Sequence, residues 1–78
     1  MNKEADNMPI SAYVFVECIQ GKALEVNRKL RTVQGVRETH VVTGPIDVIA
    51  FVEAGDINQL GKFVVDNIQS IGGVLRTY

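Results

Sequence analysis

Few residues in this chain are equipped for chemistry. Cys18 and His40 are the one cysteine and the one histidine, and no third residue stands at a spacing that would orient either as a nucleophile or base. Cys18 lies among valines and reads as a buried apolar filler, with nothing in the sequence to lower its pKa. His40 lies between Thr39 and Val41 in a more polar run and reads as a surface or interface residue. Glu17 and Glu53 read as solvated strand-end carboxylates, without a neighbour suggesting acid–base tuning. One cysteine and one histidine allow neither an internal disulfide nor a metal-ligand cluster, so no metal, cofactor or catalytic residue is expected. Gly72-Gly73 falls at the end of a helical pattern rather than its start, the wrong place for a phosphate loop. What remains is Thr43-Gly44-Pro45-Ile46-Asp47. A turn built on Gly, Pro and Asp exposes main-chain N–H groups beside a carboxylate, which suits a small zwitterion. Turn formation alone selects the same three residues.

Two similar units flank this turn. Ala12 to Cys18 is rich in β-branched and aromatic residues and too short for a helix, so it reads as a buried strand. Lys22 to Val33 places Ala23, Val26, Leu30 and Val33 three and four apart, with Leu24 broadening the stripe, as in an amphipathic helix. Gly35 follows it as a helix stop. Val36 to Thr43 is a second strand, more polar and so expected at an edge. After the turn, Asp47 to Ala54 reads as a third strand. Asp56 with Gln59 forms a capping-box start for a helix running to about Ser70. Its stripe is Ile57, Leu60, Val64, Ile68 and Ile71, with Phe63 beside it. Gly61 inside it reads as a close packing point on the sheet. Val74 to Tyr78 is a short last strand.

The halves also match residue for residue. Phe15-Val16-Glu17 recurs as Phe51-Val52-Glu53, and Gly35-Val36 with Thr39 recurs as Gly73-Val74 with Thr77. Strand–helix–strand written twice with right-handed crossovers gives an α+β, ferredoxin-like βαββαβ fold. A four-stranded antiparallel sheet then carries two helices on one face, with the first and third strands central. Residues 1–11 are expected to form a flexible N-terminal segment, the first seven frayed, with Met8 an alternative start, and residues 12–78 to form one domain.

Seventy-eight residues with a formal net charge of −1 offer a single small core and no electrostatic footprint for nucleic acid or an anionic membrane. No run approaches a membrane span and residues 1–7 lack the apolar stretch of a signal peptide, so a cytoplasmic protein is expected. At this size stability needs help, and with disulfides and metals set aside, oligomerisation is left. Alternation along the strands indicates where. If Val14, Val16, Cys18, Val48, Ala50 and Val52 pack under the helices, then Tyr13, Phe15, Ile49 and Phe51 lie bare on the other face. Two subunits stacked sheet on sheet would bury these four. Aromatics on central strands also fit an RNA-recognition module, but Glu17 and Glu53 share their face and would repel phosphate.

Several of these residues together carry a family likeness. They are Ala12-Tyr13-Val14-Phe15-Val16, Gln20-Gly21-Lys22, Val36, Val41-Val42-Thr43-Gly44 with Asp47, and Gly73-Val74 with Thr77. The chain resembles the effector-binding (RAM) domain of Lrp/AsnC-type transcriptional regulators over residues 12 to 78. The resemblance implies regulation by a small molecule, typically an amino acid, bound between dimers assembled into octamers or similar rings. Carried over by position, Val42, Thr43, Gly44, Ile46, Asp47 and Thr77 form the effector site. Gly44 offers N–H to a carboxylate, Asp47 meets an ammonium by a charge-assisted hydrogen bond, and Val42 and Ile46 shape the pocket. Ile46 stands where the family commonly has an aromatic residue, and Pro45 removes one donor. Residues 1–11 are too few for the helix-turn-helix domain of a full regulator. The expectation is therefore a stand-alone homo-oligomeric sensor without direct nucleic-acid or membrane binding, able to co-assemble with full-length Lrp/AsnC relatives. Two alternatives stay open: an assembly protein that binds no ligand, and a small dimeric αβ-barrel enzyme of monooxygenase-like type.

Overall fold

Alternating apolar residues and the two Gly-Val stops resolve into β1 (Ile10–Cys18), α1 (Ala23–Leu30), β2 (Val36–Val41), β3 (Val48–Ala54), α2 (Ile57–Phe63) and β4 (Val74–Thr77). This is a computed structural model, and it describes residues 9–78. The strands form one antiparallel sheet in the order β2-β3-β1-β4. The fold is the expected ferredoxin-like one, with β1 and β3 central and β2 at an edge.

One face of the sheet is the core. Val14, Val16, Cys18, Val48, Ala50 and Val52 are all buried against Val26 and Leu30 of α1 and Ile68 beyond α2. Each large side chain buried in this way contributes about 1.5–3 kcal/mol, which is what seats the helices on the sheet.

The duplication extends to the backbone. Val33 N–H donates to Leu30 O and Val36 N–H to Val33 O, and the same pair recurs from Ile71 to Ile68 and from Val74 to Ile71. Both turns pass through a glycine at φ 102°. A Cβ on Gly35 would lie 3.1 Å from the Phe63 ring, and one on Gly73 would lie 2.9 Å from Val26 Cγ2. Each repeat's glycine therefore admits the other repeat's helix. Even the irregularities correspond: β2 bulges at Arg37 against β3, and β4 passes over Leu75 against β1.

Several boundaries and faces differ from the sequence expectation. β1 begins at Ile10, because Ile10 and Ser11 pair with Ala54 and Glu53. The expectations for the first seven residues and for Met8 fall outside the described residues. β2 stops at Val41 and β3 starts at Val48, so the turn between them is longer than the apolar runs suggest. Leu24 is 71% exposed and Ile57 65%. α1 has little more than two turns and seats only a narrow stripe, and Leu24 stands about 100° round the axis from Ala23. Ile57 is the first residue of α2, with no neighbouring turn before it. Gly61 is exposed and a Cβ there would meet nothing within 4 Å, so it is not a packing point on the sheet. The Asp56 cap forms, with Oδ1 accepting from Gln59 N–H at 2.8 Å, but Gln59 Oε1 reaches Gly55 N–H at 3.1 Å rather than Asp56. Past Phe63 the helix widens to π geometry over Val64–Ile68. Gln69 N–H reaches back five residues to Val64 O. This turns Ile68 into the core while Val65 faces out.

Candidate effector turn and subunit face

The central turn is closed by Val42 N–H donating to Asp47 O at 2.9 Å and tied to the sheet by Asp47 N–H donating to Val16 O at 3.0 Å. The β1–β3 register, carried two residues past Val16–Val48, would set Ile46 opposite Cys18, but the chain has already turned away. Cys18 N–H donates instead to Asp47 Oδ2 at 2.8 Å. Asp47 thus ends the ladder with its side chain, a charge-assisted bond of the stronger kind. Burial, and secondarily the Asp47 charge, push the Cys18 thiol above its ordinary pKa. Cys18 is 7% exposed, and both facts fit the filler role.

Thr43, Gly44 and Pro45 are exposed, while Val42, Ile46 and Asp47 are half-buried. Gly44 adopts φ 127°, a conformation suited to glycine, and its exposure leaves the main chain accessible. Thr77 is elsewhere: it pairs with Val16 on β1, which in turn pairs with Val48 on β3. Two strand spacings, about 10 Å, separate it from the turn. Its Oγ1 already accepts from Gln69 Nε2 at 2.8 Å. Val42, Thr43, Gly44, Ile46 and Asp47 therefore form one contiguous surface, and Thr77 does not join it within a single subunit. Sequence reasoning missed both Gln69 and the Cys18 main-chain partner of Asp47. The repeat offered a signal for Gln69, since it follows Ile68 as Arg31 follows Leu30.

On the open face Tyr13 stands opposite Phe51 and Phe15 opposite Ile49. The Tyr13 and Phe51 rings lie 5.0 Å apart at 49°, a tilted pair of favourable geometry. Tyr13 is 67% and Phe15 42% exposed. Ile49 and Phe51 are half-buried rather than bare, because they sit in the middle of the sheet beside those neighbours. Polar pairs rim the patch: Arg37 with Glu53 at 3.0 Å, His40 with Glu38 at 3.2 Å, and Tyr78 O–H donating to Glu17 at 3.2 Å. Glu17 and Glu53 are thus partnered rather than simply solvated. Among the described residues no three His, Cys, Asp or Glu side chains gather as metal ligands, and no helix is long and apolar enough to cross a membrane.

Comparison with known families matches the Lrp/AsnC ligand binding domain over residues 11–78. This chain belongs to that family. A helix-turn-helix transcriptional regulator from Pyrococcus furiosus is 30% identical over 74 residues, covering 91% of this chain and 49% of the regulator. The chain thus spans about half the length of that curated relative. A crystal structure from Thermus thermophilus superposes with a TM-score of 0.82 at 30% identity, covering 88% of this chain and 86% of that one. A regulator from Neisseria meningitidis, solved as a complex with L-methionine, has a TM-score of 0.81 at 24% identity. It covers all of this chain, which covers 52% of it, and the likeness is one of fold. In this Lrp/AsnC domain both the turn and the aromatic patch fall inside the matched span.

Proposed function

We propose that this Lrp/AsnC domain is an effector-binding and oligomerisation module that takes a small zwitterion, of amino-acid type, at the Thr43–Asp47 turn. The observation that carries the reading is Asp47, anchored through one carboxylate oxygen to Cys18 N–H, beside the accessible main chain of Gly44. The second carboxylate oxygen can meet an ammonium, and the Gly44 N–H a carboxylate. Val42 and Ile46 supply apolar walls. Thr77 lies two strands away, so it contributes only where a second subunit closes the site. Sheet-on-sheet dimerisation through Tyr13, Phe15, Ile49 and Phe51, and further assembly of dimers into a ring, supply that subunit. The L-methionine complex of the Neisseria relative supports an amino-acid ligand class. Modulation of transcription then follows from co-assembly with longer family members.

Thermal shift across the twenty amino acids tests the ligand, with light scattering as the control for assembly. A selective rise is expected, and it should vanish in Asp47→Asn, in which the side-chain oxygen still accepts from Cys18 N–H but the charge is gone. Asp47→Ala also removes the latch and should lower stability by about 1–3 kcal/mol. One observation favours a second reading: the Cys18 bond gives Asp47 a structural purpose without any ligand. Intact oligomers unresponsive to every amino acid would establish a pure assembly role.

A further inference from the structure

The two repeats part company at one place where their frames coincide. Gln69, just past the end of the second helix, closes on Thr77 Oγ1 at 2.8 Å. The equivalent pair in the first repeat is Arg31 and Thr39, by the matching hydrogen bonds of Leu30, Val33 and Val36 with Ile68, Ile71 and Val74. Arg31 does not close. Thr39 Oγ1 is buried with no partner among the described residues. Beside it opens a groove of about 400 Å³ lined by Arg31, Val36, Arg37, Glu38, Thr39 and His40, within the size range of small-molecule sites. A buried hydroxyl without a partner costs free energy, and Gln69 spares the second repeat that cost at Thr77.

Two guanidiniums, Arg31 and Arg37, and one carboxylate, Glu38, line the groove. Arg37 forms an ion pair with Glu53 and His40 hydrogen-bonds Glu38, while Arg31 makes no ion pair among the described residues. The main chain adds a donor. Val42 N–H bonds towards β3, and the alternation of an antiparallel ladder turns the Thr39 N–H the other way. That is towards the outer side of β2, an edge strand. Arg31 and the outward Thr39 N–H so border one opening, and no residue of the Thr43–Asp47 turn lines it.

We propose that this groove is a second ligand site, taking a small carboxylate-bearing molecule whose carboxylate lies between the Arg31 guanidinium and Thr39. The second repeat fills the same gap with its own Gln69; the first leaves it to a ligand. The guanidinium fork suits a carboxylate better than an ammonium would.

Amide chemical shifts of the full chain titrated with succinate, with succinamide as the uncharged isostere, test the proposal. Succinate should shift Arg31, Arg37, Thr39 and His40 saturably, and succinamide should not. Arg31→Gln copies the Gln69 arrangement and is expected to fold. It should weaken succinate by roughly tenfold or more while leaving the amino-acid response of the turn intact. Absence of saturable shifts, or unchanged affinity in Arg31→Gln, overturns the site. Shifts confined to Thr43–Asp47 overturn it too, since the carboxylate would then belong to the turn. A blocked acidic pentapeptide that binds where succinate fails would overturn the small-molecule assignment in favour of an added strand on β2. These outcomes are separate from failure of the amino-acid reading, which is scored at the turn alone.

Discussion

The first and second repeats share a frame and differ in how each is closed. Gly35 and Gly73, the bulges at Arg37 and Leu75 and the paired helix-end hydrogen bonds are common to both. These are the features by which a chain stops a helix and enters a strand, and they are what a duplicated βαβ unit must keep. The ends of the helices are not alike. α1 stops plainly and leaves Arg31 clear of Thr39, whereas α2 runs on through a π segment that brings Gln69 onto Thr77. Divergence has gone where the topology makes no demand. The largest test of the shared frame is at Leu30 and Ile68, equivalent and both fully buried. Replacing either with Ala should cost about 2–5 kcal/mol in urea denaturation, and the two costs should agree to within about 1 kcal/mol. A large imbalance would mean that one repeat holds the core and the other leans on it.

The glycines sharpen the comparison further. An alanine at Gly73 faces both φ 102° and a contact at 2.9 Å with Val26 Cγ2, deep in the core, with Lys22 Cβ at 3.2 Å. An alanine at Gly35 faces the same φ, but its contact is the edge of the Phe63 ring at 3.1 Å. Phe63 is half-buried and can tilt; Val26 cannot. The left-handed conformation costs a non-glycine residue about 1–2 kcal/mol, and overpacking about 1–3 more. Gly73→Ala should therefore be the worse of the two by about 1 kcal/mol in the same denaturation experiment. Equal losses would show that backbone strain, not packing, decides both positions.

Most of the frame was legible because it rests on local signals. β-Branched runs, 3.6-residue periodicity and the Gly-Val stops fix the elements, and the recurrence of Phe-Val-Glu fixes which strands are equivalent. From there alternation alone sorted Val14, Val16, Cys18, Val48, Ala50 and Val52 from Tyr13, Phe15, Ile49 and Phe51. What escaped were features that depend on where elements end in space. Leu24 and Ile57 are apolar at helical spacing, yet the helices are too short or too close to their ends to bury them. Asp47 read as a turn residue with a free carboxylate. Its bond to Cys18 exists because β1 runs two residues past its last pairing with β3, and no local pattern records that. The distance from Thr77 to the turn likewise follows from strand order rather than from either motif.

The smallest effect concerns the exposed faces of the two helices. α1 has no glycine, whereas α2 carries Gly61 in its interior, exposed and with open space where a Cβ would go. Its φ is not positive, so alanine fits without strain. Gly61→Ala should stabilise the chain by about 0.5–1 kcal/mol, through a smaller entropy loss on folding and better helix propensity. For a domain of this size that is a rise in Tm of about 2–8 °C. The gain should be independent of protein concentration if the α2 surface stays open in the assembly. A gain seen only at low concentration, turning into a loss as subunits associate, would place Gly61 at a close contact between subunits. The missing Cβ would then serve the assembly, and the two helices would differ in partner as well as in length.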